Sequence, residues 1–202
     1  VALALGAVTM LATGVDLPTI GRSFVALAVG SVGSLNAISE TLTAAALLAL
    51  AGLGLALGFR AGLFNIGAEG QLLMGGLTAV IVGFSFPNLP FPVLMMLCLL
   101  TGAATGALYA SIAGVLRATT GAHEVISTIM LNLISLRILD YMLRLDWVQR
   151  EGRADPISKS ISPNAELPRL LEWLDPNLRV HAGIFVMLIA VAFVYWLLFK
   201  TK

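Results

Sequence analysis

The chain has 202 residues, of which 58% are hydrophobic and only 11% are charged, and its formal net charge is +1. Soluble domains usually carry about 25% charged residues, so this composition excludes a water-soluble globular protein. The near-neutral charge gives no indication of a nucleic-acid partner, and none is expected. Cys98, in an apolar run, is the single cysteine of the chain. One cysteine can form neither an internal disulfide nor a cysteine metal cluster.

Long apolar segments follow one another along the chain and predict membrane-spanning helices. A helix needs roughly 20 apolar residues to cross a hydrocarbon core, with about 17 to 25 as the usual range. Five segments approach this length, and a sixth, at the N-terminus, is shorter and is expected to be truncated. Period-two alternation is absent, so we predict an all-α polytopic fold of about six spans. In chain order the segments are residues 3–14, 43–59, 71–86, 91–115, 124–143 and 182–199.

Residues 24–32 are apolar but too short to cross a membrane, and the sequence leaves them unassigned. We expect residues 1–202 to form a single transmembrane domain that is a fragment truncated at both ends. Val1 is not an initiator methionine, and the chain stops just where the last apolar segment has emerged.

Charged residues are concentrated in one segment between the last two apolar stretches. Eleven of the 23 lie from Asp146 to Arg179, five of them basic and six acidic, and four prolines break the segment into short pieces. If the spans alternate, the basic residues at the other loops and the C-terminus share one side, which the positive-inside rule places in the cytoplasm. We therefore predict that residues 146–181 form an extracytoplasmic loop. The basic residues in question are Arg60, Arg117, Lys200 and Lys202.

The most informative stretch, residues 58–71 (GFRAGLFNIGAEGQ), joins two apolar segments without a conventional loop. Its four glycines permit backbone turns, and Asn65, Glu69 and Gln71 are polar groups at or near membrane depth. Irregular polar backbone at that depth is tolerated only beside protein or a water-filled cavity. The pattern predicts a broken or re-entrant helix that lines a pathway. A carboxylate there needs a partner, for which Arg60 is the candidate. The alternative is a plain cytoplasmic turn with Glu69 at the interface.

A second polar stretch, residues 121–132 (GAHEVISTIMLN), opens the following helix. Glu124 in the first turn favours the positive end of the helix dipole. Asn132, two turns further on, is expected to face other helices because an amide is poorly tolerated against lipid. No second histidine or carboxylate lies near His123, so it is interpreted as a solvated interfacial residue. The chain contains no zinc-protease, nucleophile-elbow or nucleotide-binding motif, so we expect no catalytic residue, metal or cofactor.

Small residues recur every four positions along residues 91–115. Such a ridge lets another helix approach closely, and its expected role is helix packing. The ridge consists of Gly102, Gly106, Ala110 and Gly114.

The two polar stretches together resemble the permease subunit of bacterial ABC importers for nucleosides, within the branched-chain amino acid and simple-sugar permease family. The resemblance covers residues 40–202; its first motif, residues 62–71, is specific, and its second, residues 121–126, is supporting. Two positions depart from the family. Members usually have Asn in place of His123 and an apolar residue in place of Arg137, which suggests a local ion pair peculiar to this chain.

The resemblance implies a multi-pass permease domain in the bacterial plasma (inner) membrane. It implies a second permease subunit (identical or a sister chain), two cytoplasmic ATPase subunits that hydrolyse the ATP, and an extracytoplasmic substrate-binding lipoprotein. The chain itself would not be an enzyme. Residues 65–71 align with the family's broken helix beside the substrate path, so Asn65, Glu69 and Gln71 would line that path, with Asn132 behind them.

Three other functions remain open from the sequence. The nearest is a permease of the same family for sugars or branched-chain amino acids. The second is an ion-coupled secondary transporter in which Glu69 titrates. An intramembrane enzyme is the most distant, because no nucleophile–base pair or metal set is present.

Overall fold

The computed structural model describes residues 1–201, and in that range it contains seven α-helices and no β-strand. Five of the helices, α3 to α7, are long and apolar enough to cross a membrane. The predicted all-α polytopic fold is therefore confirmed. The helices are α1 (Ala2–Ala12), α2 (Leu17–Val32), α3 (Leu35–Arg60), α4 (Ala68–Ser85), α5 (Phe91–Thr120), α6 (Glu124–Leu143) and α7 (Gly183–Lys200). Lys202, which was assigned to the basic flank, lies outside the described residues.

Helix boundaries agree with the apolar segments at some ends and differ at others. Helix α6 has the predicted bounds, whereas α3 begins at Leu35 instead of residue 43 and α5 continues to Thr120 instead of residue 115. Hydropathy ends a segment at polar residues, but a helix ends where its backbone hydrogen bonding ends. At α5 that point is Gly121, which has φ +70° and donates its N–H to the Arg117 carbonyl.

The first two helices are both shorter than a typical span. Helix α1, predicted as a truncated span, has 11 residues. Helix α2 has 16 residues and includes the stretch that the sequence left unassigned. It begins where it does because Asp16 accepts a hydrogen bond from the Thr19 amide at 3.3 Å and Pro18 occupies the first turn.

The chain forms two compact units. The first contains Val1–Ala49 and Pro168–Leu188. Within it, the buried Ser39 hydroxyl accepts hydrogen bonds from the backbone amides of Arg179 at 2.7 Å and Val180 at 3.0 Å. One serine near the start of α3 thus holds the end of the long charged segment.

The second unit contains Leu50–Leu167 and the residues from Ile189 onward, and α4, α5 and α6 pack together in it. Helices α4 and α5 meet backbone to backbone: a Cβ atom added to Gly75 would lie 2.7 Å from the Gly102 carbonyl oxygen. Residues 162–164 of the charged segment contact the C-terminal end of α4 and the turn that follows it. There the Ser162 amide donates to the Gly83 carbonyl at 3.1 Å, and Asn164 donates to the Leu89 carbonyl at 2.9 Å.

The outward faces of these helices are apolar. Leu108 on α5, Leu133 on α6 and Ile189 on α7 are each more than half exposed. Exposure of so many large apolar side chains on long helices is unfavourable in water and is expected where lipid is the solvent. The structure therefore has the surface of a membrane protein along its long helices.

Candidate functional site

The candidate site is built around the residues that connect α3 to α4, which we call the linking segment (residues 61–67). Helix α3 ends in a tight turn in which Gly62 has φ +73° and the Leu63 amide donates to the Gly58 carbonyl at 2.9 Å. The chain then runs without helical structure to Ala68, where α4 begins. All the contacts described below lie within the second compact unit.

One face of α6 supplies hydrogen bonds to this segment. Three polar residues on α6, spaced four apart, share that face, and we call them the α6 polar stripe (Glu124, Thr128 and Asn132). The Phe64 amide donates to Glu124 Oε1 at 3.4 Å, a long hydrogen bond, and the Ile66 amide donates to Thr128 Oγ1 at 3.2 Å.

Asn132 makes two hydrogen bonds of opposite polarity to the same region. Its Oδ1 accepts from the Gly70 amide at 2.9 Å, and its Nδ2 donates to the Ile66 carbonyl at 3.0 Å. A side-chain amide with two such partners has a fixed orientation. Asn132 therefore joins the linking segment to the first turn of α4.

The contacts show that the linking segment runs alongside α6 instead of crossing its end. Glu124 and Asn132 are eight residues apart, which corresponds to about 12 Å along a helix. Successive residues of the linking segment and of the first turn of α4 meet successive members of the stripe, from Phe64 at Glu124 to Gly70 at Asn132. Helix α4 thus begins about two turns beyond the start of α6. That the linking segment lies at membrane depth stays a prediction.

Two glycines allow this close packing. A Cβ atom on Gly70 would lie 2.9 Å from Asn132 Oδ1 and 3.0 Å from Ser135 Oγ, and one on Gly67 would lie 3.1 Å from Thr128 Cβ. Neither position has room for a larger residue without a shift of its neighbours. The glycines noted in the sequence at these two positions are needed for contact with α6.

Asn65 and Gln71 lie together at the start of α4. Asn65 Oδ1 accepts from the Gly67 amide at 2.7 Å and from Gln71 Nε2 at 3.2 Å. Since a backbone amide can only donate, it fixes which end of the Asn65 side chain is the oxygen. Asn65 Nδ2, a donor, and Gln71 Oε1, an acceptor, have no hydrogen-bond partner within residues 1–201.

Glu69 is separate from this pair. It is exposed in the first turn of α4, and two helical positions rotate it about 200° from Gln71. Within residues 1–201 it makes no ion pair, so the expected pairing with Arg60 is wrong. The positive end of the α4 dipole is the stabilising feature near its carboxylate.

Arg117 and Glu124 form an ion pair across the turn between α5 and α6. Arg117 also donates to the Gly62 carbonyl at 3.4 Å. The turn at Gly121 brings the last turn of α5 and the first turn of α6 to the same end of the linking segment. The Arg117–Glu124 ion pair therefore lies at the start of the linking segment, next to Gly62.

The small-residue ridge on α5 is only partly in contact with α4. A Cβ atom on Gly102 would lie 3.1 Å from the Gly75 carbonyl oxygen, and one on Gly106 would lie 3.3 Å from the Gln71 carbonyl oxygen. Ala110 is half-buried, and Gly114 is exposed with no atom within 4 Å of an added Cβ. Gly106 thus places α5 directly against the residue that pairs with Asn65.

Several residues of the site were not identified from the sequence. Thr128 and Ser135 are buried on α6, and Tyr109 on α5 donates its hydroxyl to the Leu131 carbonyl at 2.7 Å. The four-residue spacing of Thr128 from both Glu124 and Asn132 was the available signal. Arg137, Asp140 and Arg144 share one face of α6 and were expected to pair along it. Asp140 does pair with Arg144 at 3.0 Å. Arg137 makes no ion pair within residues 1–201, so its expected local ion pair is wrong.

A family model described as "Branched-chain amino acid transport system / permease component" matches residues 37–202. The chain belongs to this family. Membership, together with five helices that could cross a membrane, identifies a multi-pass protein of the plasma membrane.

Curated relatives in the family are similar over almost the whole chain. The guanosine ABC transporter permease protein NupP of Bacillus subtilis is 36% identical over 199 residues, which are 98% of this chain and 55% of the relative. The nucleoside ABC transporter permease protein NupB of Lactococcus lactis is 34% identical over 201 residues, 98% of this chain and 54% of the relative.

A third relative carries a different substrate in its name. The glucose ABC transporter permease protein TsgB13 of Haloferax volcanii is 36% identical over 208 residues, which cover 100% of this chain and 53% of the relative. The chain thus spans about half the length of the curated relatives that it matches. No solved structure gives a significant match.

Proposed function

We propose that the protein is the membrane-spanning permease subunit of an ATP-binding-cassette importer that moves a nucleoside or a related small polar solute into the cell by alternating access. The observation that carries this proposal is the similarity, over 98% of the chain, to permeases named for guanosine and nucleoside transport. The geometry of the linking segment is compatible with it, because polar groups at the start of α4 are held in place by other helices.

The chemistry of a nucleoside fits the groups that the site leaves free. Ribose hydroxyls can donate to a carboxylate or an amide oxygen, and the base offers both donors and acceptors. Gln71 Oε1 and the Glu69 carboxylate are acceptors, and Asn65 Nδ2 is a donor. Because Glu69 points away from Gln71, the two residues would contact the solute from different sides or at different stages of its passage.

The energy would come from partner subunits. Two cytoplasmic ATPase subunits would bind and hydrolyse ATP, an extracytoplasmic lipoprotein would deliver the solute, and a second permease subunit, identical or a sister chain, would complete the path. The basic ends of α3 and α5 would face the ATPase side, and residues 146–181 would face the lipoprotein.

Replacement of Glu69 tests the proposed path. In the full-length permease, co-expressed with its partners, Glu69→Ala should abolish uptake of radiolabelled guanosine while leaving membrane insertion intact, because an exposed carboxylate has no structural partner to lose. Leu72→Ala, one turn further along α4 and also exposed, is the matched control and should retain uptake. Normal uptake by the Glu69→Ala protein at equal expression would remove Glu69 from the mechanism.

A sugar permease is the second candidate, and the similarity to the glucose permease supports it. Competition separates the two: unlabelled nucleosides should suppress labelled guanosine uptake, and glucose should leave it unchanged. Suppression by glucose instead would favour the sugar permease. In the same cells, an uncoupler at constant ATP should leave uptake intact, and its collapse would favour an ion-coupled transporter.

A further inference from the structure

We propose that Thr128 and Asn132 are positioning residues, which hold the linking segment so that Asn65 and Gln71 present fixed hydrogen-bonding groups to the solute. This inference deepens the proposed function and rests on it. It assigns a role to Thr128. It also proposes that Asn132 supports the residues that line the path and does not itself bind the solute.

The first step is the backbone requirement of α4. The first N–H groups of a helix have no partner within the helix and are usually satisfied by the side chain at its N-cap. The N-cap of α4 is Gly67, which has no side chain to offer. Its Cβ would lie 3.1 Å from Thr128 Cβ, so a larger capping residue is disfavoured there. Asn132 on α6 takes over the task by accepting from the Gly70 amide.

The second step concerns the peptide groups on either side of Ile66. Its N–H donates to Thr128 Oγ1 and its carbonyl accepts from Asn132 Nδ2. The Thr128 hydroxyl donates in turn to the Glu124 carbonyl at 2.8 Å, which leaves its oxygen free to accept. Each partner therefore has the polarity that the linking segment needs, and both come from one face of α6.

The third step connects this support to the solute-facing groups. Asn65 directly precedes Ile66, and its Oδ1 accepts a hydrogen bond from the amide of Gly67, which directly follows Ile66. Fixing Ile66 and Gly70 therefore fixes the backbone on both sides of the Asn65–Gln71 pair. Asn132, by contrast, already uses its oxygen and one amide proton, so it is poorly suited to bind a solute.

Amide hydrogen exchange in the full-length permease, reconstituted in lipid nanodiscs, tests the positioning role. Thr128→Val keeps the side-chain shape but removes the acceptor, and Asn132→Leu removes both Asn132 bonds. We expect exchange of residues 64–71 to accelerate on the order of tenfold in each, because the Ile66 amide loses its partner in the first variant and the Gly70 amide in the second. Thr128→Ser keeps the hydroxyl and should exchange like the unmodified protein.

Uptake measured on the same variants separates positioning from mere structure. Thr128→Val should lower the maximal rate of labelled guanosine uptake several-fold, and Thr128→Ser should restore it. Unchanged exchange of residues 64–71 would overturn the proposal. So would equal acceleration throughout α4 and α5, or normal uptake despite faster local exchange.

The two proposals can fail separately. If the unmodified permease imports glucose and not guanosine, the substrate is wrong, but the exchange results still decide the role of Thr128 and Asn132, with glucose uptake as the second readout. If guanosine is imported and the exchange results are negative, the permease function stands without the positioning role.

Discussion

The glycines of α4 and its N-cap residue Gly67 differ sharply in what surrounds them. Gly67, Gly70 and Gly75 are buried against other helices, whereas Gly76, the neighbour of Gly75, has no atom within 4 Å of an added Cβ. At Gly67, Gly70 and Gly75 the missing side chain permits a close contact with another helix. At Gly76 no neighbouring atom requires a glycine. Sequence alone cannot distinguish the two kinds, because both belong to the same apolar helix.

Gly75→Ala should destabilise the protein by about 1–3 kcal/mol, the usual cost of inserting a methyl group into a packed interface. The added Cβ would meet the Gly102 carbonyl oxygen at 2.7 Å, a backbone atom that cannot rotate away. Gly76→Ala in the same helix is the matched control and should be neutral or slightly stabilising, because alanine is a better helix former than glycine. The measurement is the thermal unfolding midpoint of the purified full-length permease in detergent. Equal midpoints for the two variants would contradict the close approach of α4 and α5.

At the same scale, the sequence identified Asn65 and Gln71 because amides are conspicuous in an apolar stretch. It could not show that the two side chains bind each other while Glu69 points away, since that depends on where α4 begins. Thr128 was missed for a different reason. A threonine within a helix usually bonds back to its own preceding turn, as this one does to the Glu124 carbonyl. Its contact with the Ile66 amide was therefore indicated only by its four-residue spacing from Glu124 and Asn132.

At the scale of helices and connecting segments, the charged region after α6 is attached at specific points. In the first compact unit, Ser39 of α3 is only 1% exposed and accepts both the Arg179 and Val180 amides. In the second, the Gly83 carbonyl of α4 accepts from the Ser162 amide. Backbone amides of the region therefore bond to the Ser39 hydroxyl of α3 and to the Gly83 carbonyl of α4.

Ser39→Ala should destabilise the protein substantially, since each unsatisfied buried amide costs roughly 1–3 kcal/mol. Ser111→Ala is the control, because Ser111 is exposed on α5 and, within residues 1–201, its hydroxyl bonds only to the Leu108 carbonyl one turn earlier. Limited proteolysis of the full-length protein provides the local readout: the Ser39→Ala variant should be cleaved faster between residues 168 and 181. A cleavage rate equal to that of the Ser111→Ala variant would show that the serine does not anchor this segment.

Element boundaries were predictable where composition and backbone change at the same residue. Helix α6 begins at Glu124, just after a glycine turn, and its bounds were predicted correctly. Helix α3 begins before its apolar stretch, because Asn36, Ser39 and Glu40 are compatible with a helix although they lower hydropathy. The contacts of residues 146–181 with α3 and α4 were beyond prediction, since they join residues far apart in sequence.

At the scale of the whole molecule, the sequence was sufficient for the fold class and the family. Long apolar stretches, few charges and the motif at residues 62–71 led to the permease family that residues 37–202 match. The orientation in the membrane stays a prediction. It rests on basic residues at the ends of α3, α5 and α7, which carry Arg60, Arg117 and Lys200 in their last turns.

Cysteine labelling in intact cells tests that orientation. In a full-length protein with Cys98 replaced by alanine, a cysteine at Trp173 should react with a membrane-impermeant maleimide from outside, because that side chain is 81% exposed in the charged segment. A cysteine at Thr119, exposed near the turn between α5 and α6, should react only after the membrane is permeabilised. The reverse labelling pattern would show that the predicted orientation is inverted, and the linking segment would then lie nearer the outside of the cell.

The contact between Gly75 and Gly102 also limits how a transport cycle could deform this protein. Two helices slide past each other easily when a layer of long side chains can change rotamers between them. Here main-chain atoms of Gly75 and Gly102 are in contact, with no side chains between them. Helices α4 and α5 should therefore move together as one rigid body. Any conformational change would then fall on the linking segment, and it would have to break the hydrogen bonds that Glu124, Thr128 and Asn132 make to that segment.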